Sequence, residues 1–148
     1  RPLTTNAHRA KQLRPFSPVI LFFMGAQSVL LLATEADHIH REVDAAVGGT
    51  YRVLRVRAGA DVRAAVIEHD PTVVVLDLQI GNMGGMATCL DLRLEGRAGR
   101  IPAQRVVLLL DREADVFLAK QAEADQWQIK PLDPLALRRL LTTEPVAS

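Results

Sequence analysis

The apolar run Val73–Leu76 limits the possible folds more than any other feature, because polar and apolar residues do not alternate in it. Strands of this kind are buried on both faces and occur in parallel sheets that helices cover on either side. The run ends at Asp77, and burying a carboxylate is costly unless another group neutralises or uses its charge. The run therefore predicts a central parallel strand with a functional carboxylate at its end.

Apolar runs and helical patterns alternate on both sides of this strand. The predicted strands are Val29–Leu32, Tyr51–Val56, Val73–Leu76, Val106–Leu110 and Gln126–Ile129. Helical patterns follow them from near Asp37, Asp61, Met86, Ala114 and Pro134. Five strands that alternate with five helices through short loops predict an α/β domain with a doubly wound parallel sheet over residues 28–143.

Within two of these helices the spacing of apolar residues predicts which face is buried. In the third helix the buried stripe would consist of Met86, Leu90 and Leu94. In the fourth helix it would consist of Ala114, Leu118 and Ala122. Cys89 lies among these apolar residues, and we expect its side chain to be packed in the core.

Composition excludes several classes of protein. The 148 residues carry a formal net charge of +1, which gives no basic surface for nucleic acid or for an anionic membrane. Cys89 is the single cysteine, so neither a disulfide framework within the chain nor a cysteine-based zinc site is available. Such cysteine usage is typical of a reducing compartment and predicts a cytoplasmic location.

The two ends of the chain are interpreted separately from the domain. Residues 1–27 are predicted to be an extension that is flexible or in part foreign to the natural protein, and residues 144–148 a polar tail. Basic residues before the apolar run Val19–Ala33 also resemble a secretory signal peptide. Gly25 and Gln27 interrupt that run, so we prefer a short separate segment at Val19–Phe23 followed by the first strand.

Charged residues follow four of the predicted strands. Asp77 follows the third strand, Glu35 the first, Asp111 the fourth and Lys130 the fifth. In a parallel sheet the functional crevice lies beyond the carboxyl ends of the strands. We therefore expect the three acids and the lysine to converge on one rim of the sheet.

The stretch DLQIGNMGG, from Asp77 to Gly85, and the pair Lys130-Pro131 resemble the receiver domains of bacterial two-component response regulators. In that family a glycine also lies eight positions after an aspartate that ends the third strand, and a lysine before proline ends the fifth. The resemblance spans Ser28–Leu141. It implies a flavodoxin-like (βα)5 fold with strand order 2-1-3-4-5.

The same resemblance implies roles for individual residues. Asp77 would accept a phosphoryl group from a histidine kinase, and Lys130 would contact that group. Weak binding of Mg²⁺ would involve Glu35, Asp77 and the backbone carbonyl of Gln79. A domain of this kind is not an enzyme and acts through a protein partner, either a histidine kinase or a regulated enzyme. Apart from the resemblance, Trp127 and the leucines of the face formed by residues 113–141 favour a homodimer through that face.

Several positions depart from the pattern of the family. Thr34 and Glu35 lie where two aspartates are usual, so one acid is lost. Leu110 lies where the family has a serine or threonine, and leucine cannot hydrogen-bond a phosphoryl oxygen. Trp127 occupies the aromatic switch position, but without that hydroxyl its link to Asp77 is missing. These departures predict a stand-alone, atypical receiver, or pseudo-receiver, with a weakened pocket in a bacterial phosphorelay.

Alternatives remain open at this point. Thr34 and Asp111 can be interpreted as helix caps, although the short connection from Leu110 to Lys130 also allows Asp111 to enter the pocket. The domain can signal with or without phosphorylation of Asp77. A small-ligand-binding or flavodoxin-like domain is the alternative of another class, and thermal-shift screening with nucleotides and flavins would identify it.

Overall fold

The computed structural model describes residues 27–143. Predictions for residues 1–26 and for the tail at 144–148 lie outside the described residues, including those for Val19–Phe23. The strands are β1 (Ser28–Ala33), β2 (Tyr51–Val56), β3 (Val73–Asp77), β4 (Val106–Leu110) and β5 (Gln126–Ile129). The α-helices are α1 (Asp37–Val47), α2 (Val62–His69), α3 (Gly85–Arg97), α4 (Val116–Gln121) and α5 (Pro134–Thr142). Single 3-10 turns at Gly59–Asp61 and Glu113–Asp115 precede α2 and α4.

The strands form one parallel sheet in the order β2-β1-β3-β4-β5, as expected. The order places β3 at the centre, where Val73 to Leu76 are completely buried. Ala33 lies opposite Leu76 in the register, and Asp77 lies opposite Leu109. The carboxyl ends of β1, β3 and β4 therefore meet at one edge of the sheet.

Two apolar clusters fill the space between the sheet and its two helical layers. Leu30 and Leu32 of β1 face one cluster, to which α1 and α5 contribute. Leu31 of β1 faces the other cluster, to which α2, α3 and α4 contribute. Because successive side chains of a strand point to opposite faces, the unalternated runs of β1, β3 and β4 supply both clusters at once.

The buried stripe predicted for α3 was right for Met86, which packs against the core, and wrong for Leu90 and Leu94. Leu90 and Leu94 are 43% and 59% exposed, whereas Cys89 and Leu92 are buried. At its first residue, Gly85, the helix lies so close to β3 that a Cβ atom would be 2.7 Å from the backbone oxygen of Asp77. The face with Cys89 and Leu92 is turned toward the sheet, and Leu90 and Leu94 lie on the outside.

The prediction for α4 was right for Ala122, which is buried, and wrong for Ala114 and Leu118. Leu118 is 51% exposed, and Ala119 is buried beside Ala122. The Sγ atom of Cys89 lies 3.2 Å from the carbonyl oxygen of Ala122, so α3 and the end of α4 approach closely. Small side chains permit that approach, and burial raises the pKa of the Cys89 thiol to about 11.

One edge of the sheet is formed by β2. Arg52 is exposed on this strand and Arg57 follows its last residue. Arg55 donates a hydrogen bond to the carbonyl oxygen of Thr34 at 3.0 Å and another to Asp37 at 2.8 Å.

Across residues 27–143, none of the helices has the length and apolar character needed to cross a bilayer.

Candidate functional site

Asp77 is the last residue of β3 and is only 2% exposed. Its Oδ1 atom accepts hydrogen bonds from the Nζ atom of Lys130 at 2.5 Å and from the backbone amide of Gln79 at 3.1 Å. Its Oδ2 atom accepts one from the Thr34 hydroxyl at 2.7 Å. Both oxygens of the buried carboxylate are therefore satisfied, and its charge is neutralised by an ammonium group.

Thr34 does not cap a helix, which corrects one of the two interpretations of this residue. The N-cap position of α1 is Ala36, without any side-chain cap hydrogen bond. The Thr34 hydroxyl accepts a hydrogen bond from the Ala36 amide at 3.0 Å and donates its own proton to Asp77. A neutral donor thus contacts Asp77 at a position where the resemblance implies an acid.

Asp111 lies in the pocket instead of capping the turn that follows β4. Its Oδ1 atom accepts a hydrogen bond from Lys130 at 2.9 Å, and its Oδ2 atom accepts one from the side-chain amide of Gln79 at 2.5 Å. Asp115 takes the capping role, since its Oδ2 atom accepts hydrogen bonds from the amides of Asp111 and Arg112. Lys130 is therefore held between two carboxylates.

The charges of the pocket stabilise one another. Burial by itself lowers the pKa of Lys130, but hydrogen bonds from the amine to Asp77 and Asp111 more than compensate and raise it above its ordinary value. Burial by itself raises the pKa of Asp111, but hydrogen bonds from Gln79 and Lys130 bring it below its ordinary value. The resting pocket contains a charged lysine and a charged Asp111 at neutral pH.

Glu35 is engaged in the loop that follows β3. Its Oε2 atom accepts a hydrogen bond from the amide of Gly81 at 2.6 Å. The approach is close, because a Cβ atom on Gly81 would lie 2.3 Å from that oxygen. Glu35 therefore anchors the loop after Asp77, and no hydrogen bond between Glu35 and Asp77 occurs among the described residues.

The predicted ligands fit Mg²⁺ poorly. The ion requires an octahedron of oxygen ligands, usually one or two carboxylates completed by water and phosphate. Asp77 has both oxygens hydrogen-bonded, and Glu35 is bonded to Gly81. In residues 27–143, no group of three or more His, Cys, Asp or Glu side chains is arranged to hold a metal ion. The ligand set of Glu35, Asp77 and the Gln79 carbonyl stays a prediction.

The loop after Asp77 is clamped from the side by the turn that precedes α2. Gly59 donates its amide to the carbonyl oxygen of Gly81 at 3.2 Å, and Ala60 donates to Asn82 at 3.0 Å. Asn82 and Met83 adopt positive φ angles of 51° and 84°, a conformation that is unusual for residues other than glycine. These backbone contacts fix the loop in a conformation that it would not favour alone.

The two predicted switch positions lie in an apolar environment. Leu110 is completely buried at the end of β4, and Trp127 packs against the same cluster from β5. The Nζ atom of Lys120 lies 6.0 Å from the centre of the Trp127 ring. Leu110 offers no hydrogen bond to a group on Asp77, so the roles of these two positions in signalling remain predictions.

Sequence reasoning missed three contributions to the site. The side chain of Gln79 bonds Asp111, Asp115 caps the turn after β4, and Gly59 clamps the loop after Asp77. A signal existed for Asp115, because an aspartate at the start of a helical pattern is a common cap. Gly59 gave no comparable signal, since its partner in the loop is distant in sequence.

Replacement of Asp111 by asparagine should produce a pH-dependent loss of stability. The pKa of Asp111 lies below its ordinary value of 3.8, so its contribution is present above that value and is lost as the pH falls through the folded pKa. The pKa of Lys130 lies above 10.5, so its contribution is present below that value and is lost as the pH rises through the folded pKa. Thermal unfolding should show the largest difference from wild type between these limits; a constant difference would contradict the pairing.

No protein-family model and no curated protein sequence matches this chain. Among solved structures, the chemotaxis protein CheY4 of Vibrio cholerae is similar at 19% identity with a TM-score of 0.66, over 78% of this chain and 97% of that one. The N-terminal receiver domain of Klebsiella pneumoniae RstA is similar at 22% identity with a TM-score of 0.67, over 77% and 95%.

A third similar structure is a receiver domain that belongs to a histidine kinase. The signal receiver domain of a signal transduction histidine kinase from Syntrophus aciditrophicus is 22% identical with a TM-score of 0.64, over 82% of this chain and 98% of that domain. In all three comparisons the likeness covers almost the whole of the other chain and about four fifths of this one. The described part of this protein therefore has the fold of the response regulator receiver domains.

Proposed function

We propose that this protein is an atypical receiver domain of a bacterial phosphorelay, located in the cytoplasm, with Asp77 as its phosphoacceptor and a degenerate pocket. It acts through contacts with other proteins and not as an enzyme. Signalling occurs mainly through a fixed surface, and phosphorylation of Asp77 is inefficient. The observation that carries the proposal is the 2.5 Å contact between Lys130 and Asp77 at the carboxyl edge of a receiver fold.

The chemistry of phosphoryl transfer supports a role for this pair. A carboxylate can act as the nucleophile toward phosphorus when its position is fixed. Transfer relies mostly on positioning and on cations that stabilise charge on the phosphoryl oxygens. Thr34 and the Gln79 amide position Asp77, and the Lys130 ammonium group lies beside it.

The departures from the family support inefficient phosphorylation. Leu110 provides no hydroxyl, Thr34 provides no second acid, and the predicted Mg²⁺ ligands are bonded elsewhere. Without a polar group at 110, a phosphoryl group on Asp77 lacks a physical connection to Trp127. We therefore propose that the pocket binds Mg²⁺ only weakly. Ion pairs already fix its resting conformation.

The contact surface that we propose is the face formed by residues 113–141. Phe117 on α4 and Leu135 on α5 are 66% and 65% exposed there. Large exposed apolar side chains of this kind are common in protein interfaces. The partner is a histidine kinase, a regulated enzyme or a second copy of this chain, and the family resemblance is the basis for these three classes.

Incubation with acetyl phosphate and Mg²⁺, followed by intact-mass measurement, tests the phosphoacceptor. Wild type should gain the mass of one phosphoryl group in only a small fraction of molecules, and Asp77→Asn should gain none. Asp133→Asn is a matched control, because this exposed aspartate caps α5 and contacts no residue of the pocket described above. A stoichiometric adduct on wild type would contradict the pseudo-receiver proposal, and an equal adduct on Asp77→Asn would exclude Asp77 as the acceptor.

A further inference from the structure

Asp111 makes a bridge across the mouth of the pocket. Its carboxylate joins Lys130 of the β5 end to the Gln79 side chain of the loop after Asp77, at 2.9 Å and 2.5 Å. The Asp111 side chain is 27% exposed, whereas that of Asp77 is 3% exposed. The Asp111 carboxylate therefore lies nearer to solvent than Asp77 and already accepts hydrogen bonds from Lys130 and Gln79.

A phosphoryl group on Asp77 would compete for these donors. Its oxygens carry negative charge and would bind the nearest cation, which is the Lys130 ammonium group. Lys130 already donates to two carboxylates, and the Gln79 side-chain amide already donates to Asp111. A second anion at this position would also be repelled by the Asp111 charge.

We propose that Asp111 is an internal anion that occupies the phosphoryl-binding donors of the pocket and thereby restricts phosphoryl transfer to Asp77. The phosphoryl step rests on the proposed function, whereas the occupation of Lys130 by Asp111 does not. Asp111 is a positioning residue in this scheme, because it acts through Lys130 and Gln79. Its presence keeps the pocket in one ion-paired state in the absence of any phosphoryl group.

The step that Asp111 restricts is a simple displacement. One Asp77 oxygen forms a bond to phosphorus while the bond from phosphorus to acetate breaks, and acetate leaves with the electron pair of that bond. No proton, oxidant or reductant is needed. Removal of Asp111 therefore changes only the electrostatic and hydrogen-bonding environment of the incoming group.

The test compares Asp111→Ala and Asp111→Asn with wild type, using acetyl phosphate and intact-mass measurement. Both variants should form the Asp77 adduct about tenfold faster than wild type, because the barrier loses one like-charge repulsion and Lys130 becomes available. Glu113→Gln is the matched control. It removes an exposed carboxylate two positions away and should leave the rate of adduct formation unchanged.

A second measurement separates failure of this inference from failure of the proposed function. Acetylation of Lys130 by acetic anhydride, followed by peptide mass spectrometry, reports whether its amine is occupied. In Asp111→Ala, labelling should be faster than in wild type, and inorganic phosphate should slow it; in wild type, phosphate should have no effect. This readout does not require phosphorylation of Asp77.

The two measurements together distinguish the role of Asp111 from the role of Asp77. Equal adduct rates in wild type and Asp111→Ala, with no phosphate protection of Lys130, would overturn the role of Asp111 and leave Asp77 as the acceptor. No adduct in any variant, with phosphate protection in Asp111→Ala alone, would overturn the proposed phosphoacceptor and support an anion site that Asp111 fills. No adduct and no protection would overturn both.

Discussion

Replacement of Gly59 by alanine is expected to destabilise the protein by about 3 kcal/mol, the upper range for an overpacked site. A Cβ atom at this position would lie 1.8 Å from the carbonyl oxygen of Met83 and 2.4 Å from the Thr88 hydroxyl oxygen. The first of these atoms belongs to the backbone of the clamped loop, so it cannot rotate away. Relief requires the loop to move, which would break the hydrogen bonds from Gly59 and Ala60.

Urea unfolding followed by circular dichroism measures this loss, and Gly96→Ala provides the matched control. A Cβ atom on Gly96 would approach no closer than 3.9 Å to Ala103, an ordinary contact. The control should therefore be no less stable than wild type, since alanine is favoured over glycine in a helix by up to about 1 kcal/mol. If Gly59→Ala were as stable as Gly96→Ala, the clamp between the turn and the loop would not exist in solution.

Replacement of Lys130 by methionine is expected to cost about 3 kcal/mol, because it leaves the buried Asp77 carboxylate without a cation. Methionine preserves most of the volume of the lysine stem, so a cavity does not explain the loss. Asp77→Asn should be milder, since Lys130 retains its contact with Asp111. The two variants differ in stability because the single Lys130 ammonium group pairs with both the Asp77 and the Asp111 carboxylates.

The double variant Asp77→Asn/Lys130→Met separates charge from packing. Removal of both charges should restore most of the stability that Lys130→Met loses, with a coupling of about 2 kcal/mol between the two sites. Lys120→Met is the matched control, because Lys120 is exposed near Trp127 and should change the free energy of unfolding by less than about 1 kcal/mol. Purely additive effects would mean that the ion pair contributes nothing.

Strand positions could be predicted from the sequence because burial on both faces leaves a strong pattern. Tyr51–Val56, Val106–Leu110 and Gln126–Ile129 have the predicted bounds, and Val73–Leu76 is extended only by Asp77. The helical pattern between each pair of successive strands then implied parallel pairing. The meeting of Asp77 and Lys130 at one edge follows from the same topology, since both residues lie at carboxyl ends of strands.

The rotation of helices and the partners of polar side chains could not be predicted in this way. In α3 an apolar stripe at Leu90 and Leu94 competed with one at Cys89 and Leu92, and the choice between them depends on how the helix packs against the sheet. A polar residue after a strand has the same appearance in sequence whether it caps a helix or enters a pocket. The choice for such residues depends on contacts with distant parts of the chain.

The arginines of β2 affect how copies of this protein meet. The outer side of an edge strand offers unpaired amide and carbonyl groups on which a neighbouring strand could be added. Arg52 lies on this strand and Arg57 just beyond it, so alignment of two such strands would bring several guanidinium groups together. This repulsion opposes fibril-like growth by backbone pairing at β2.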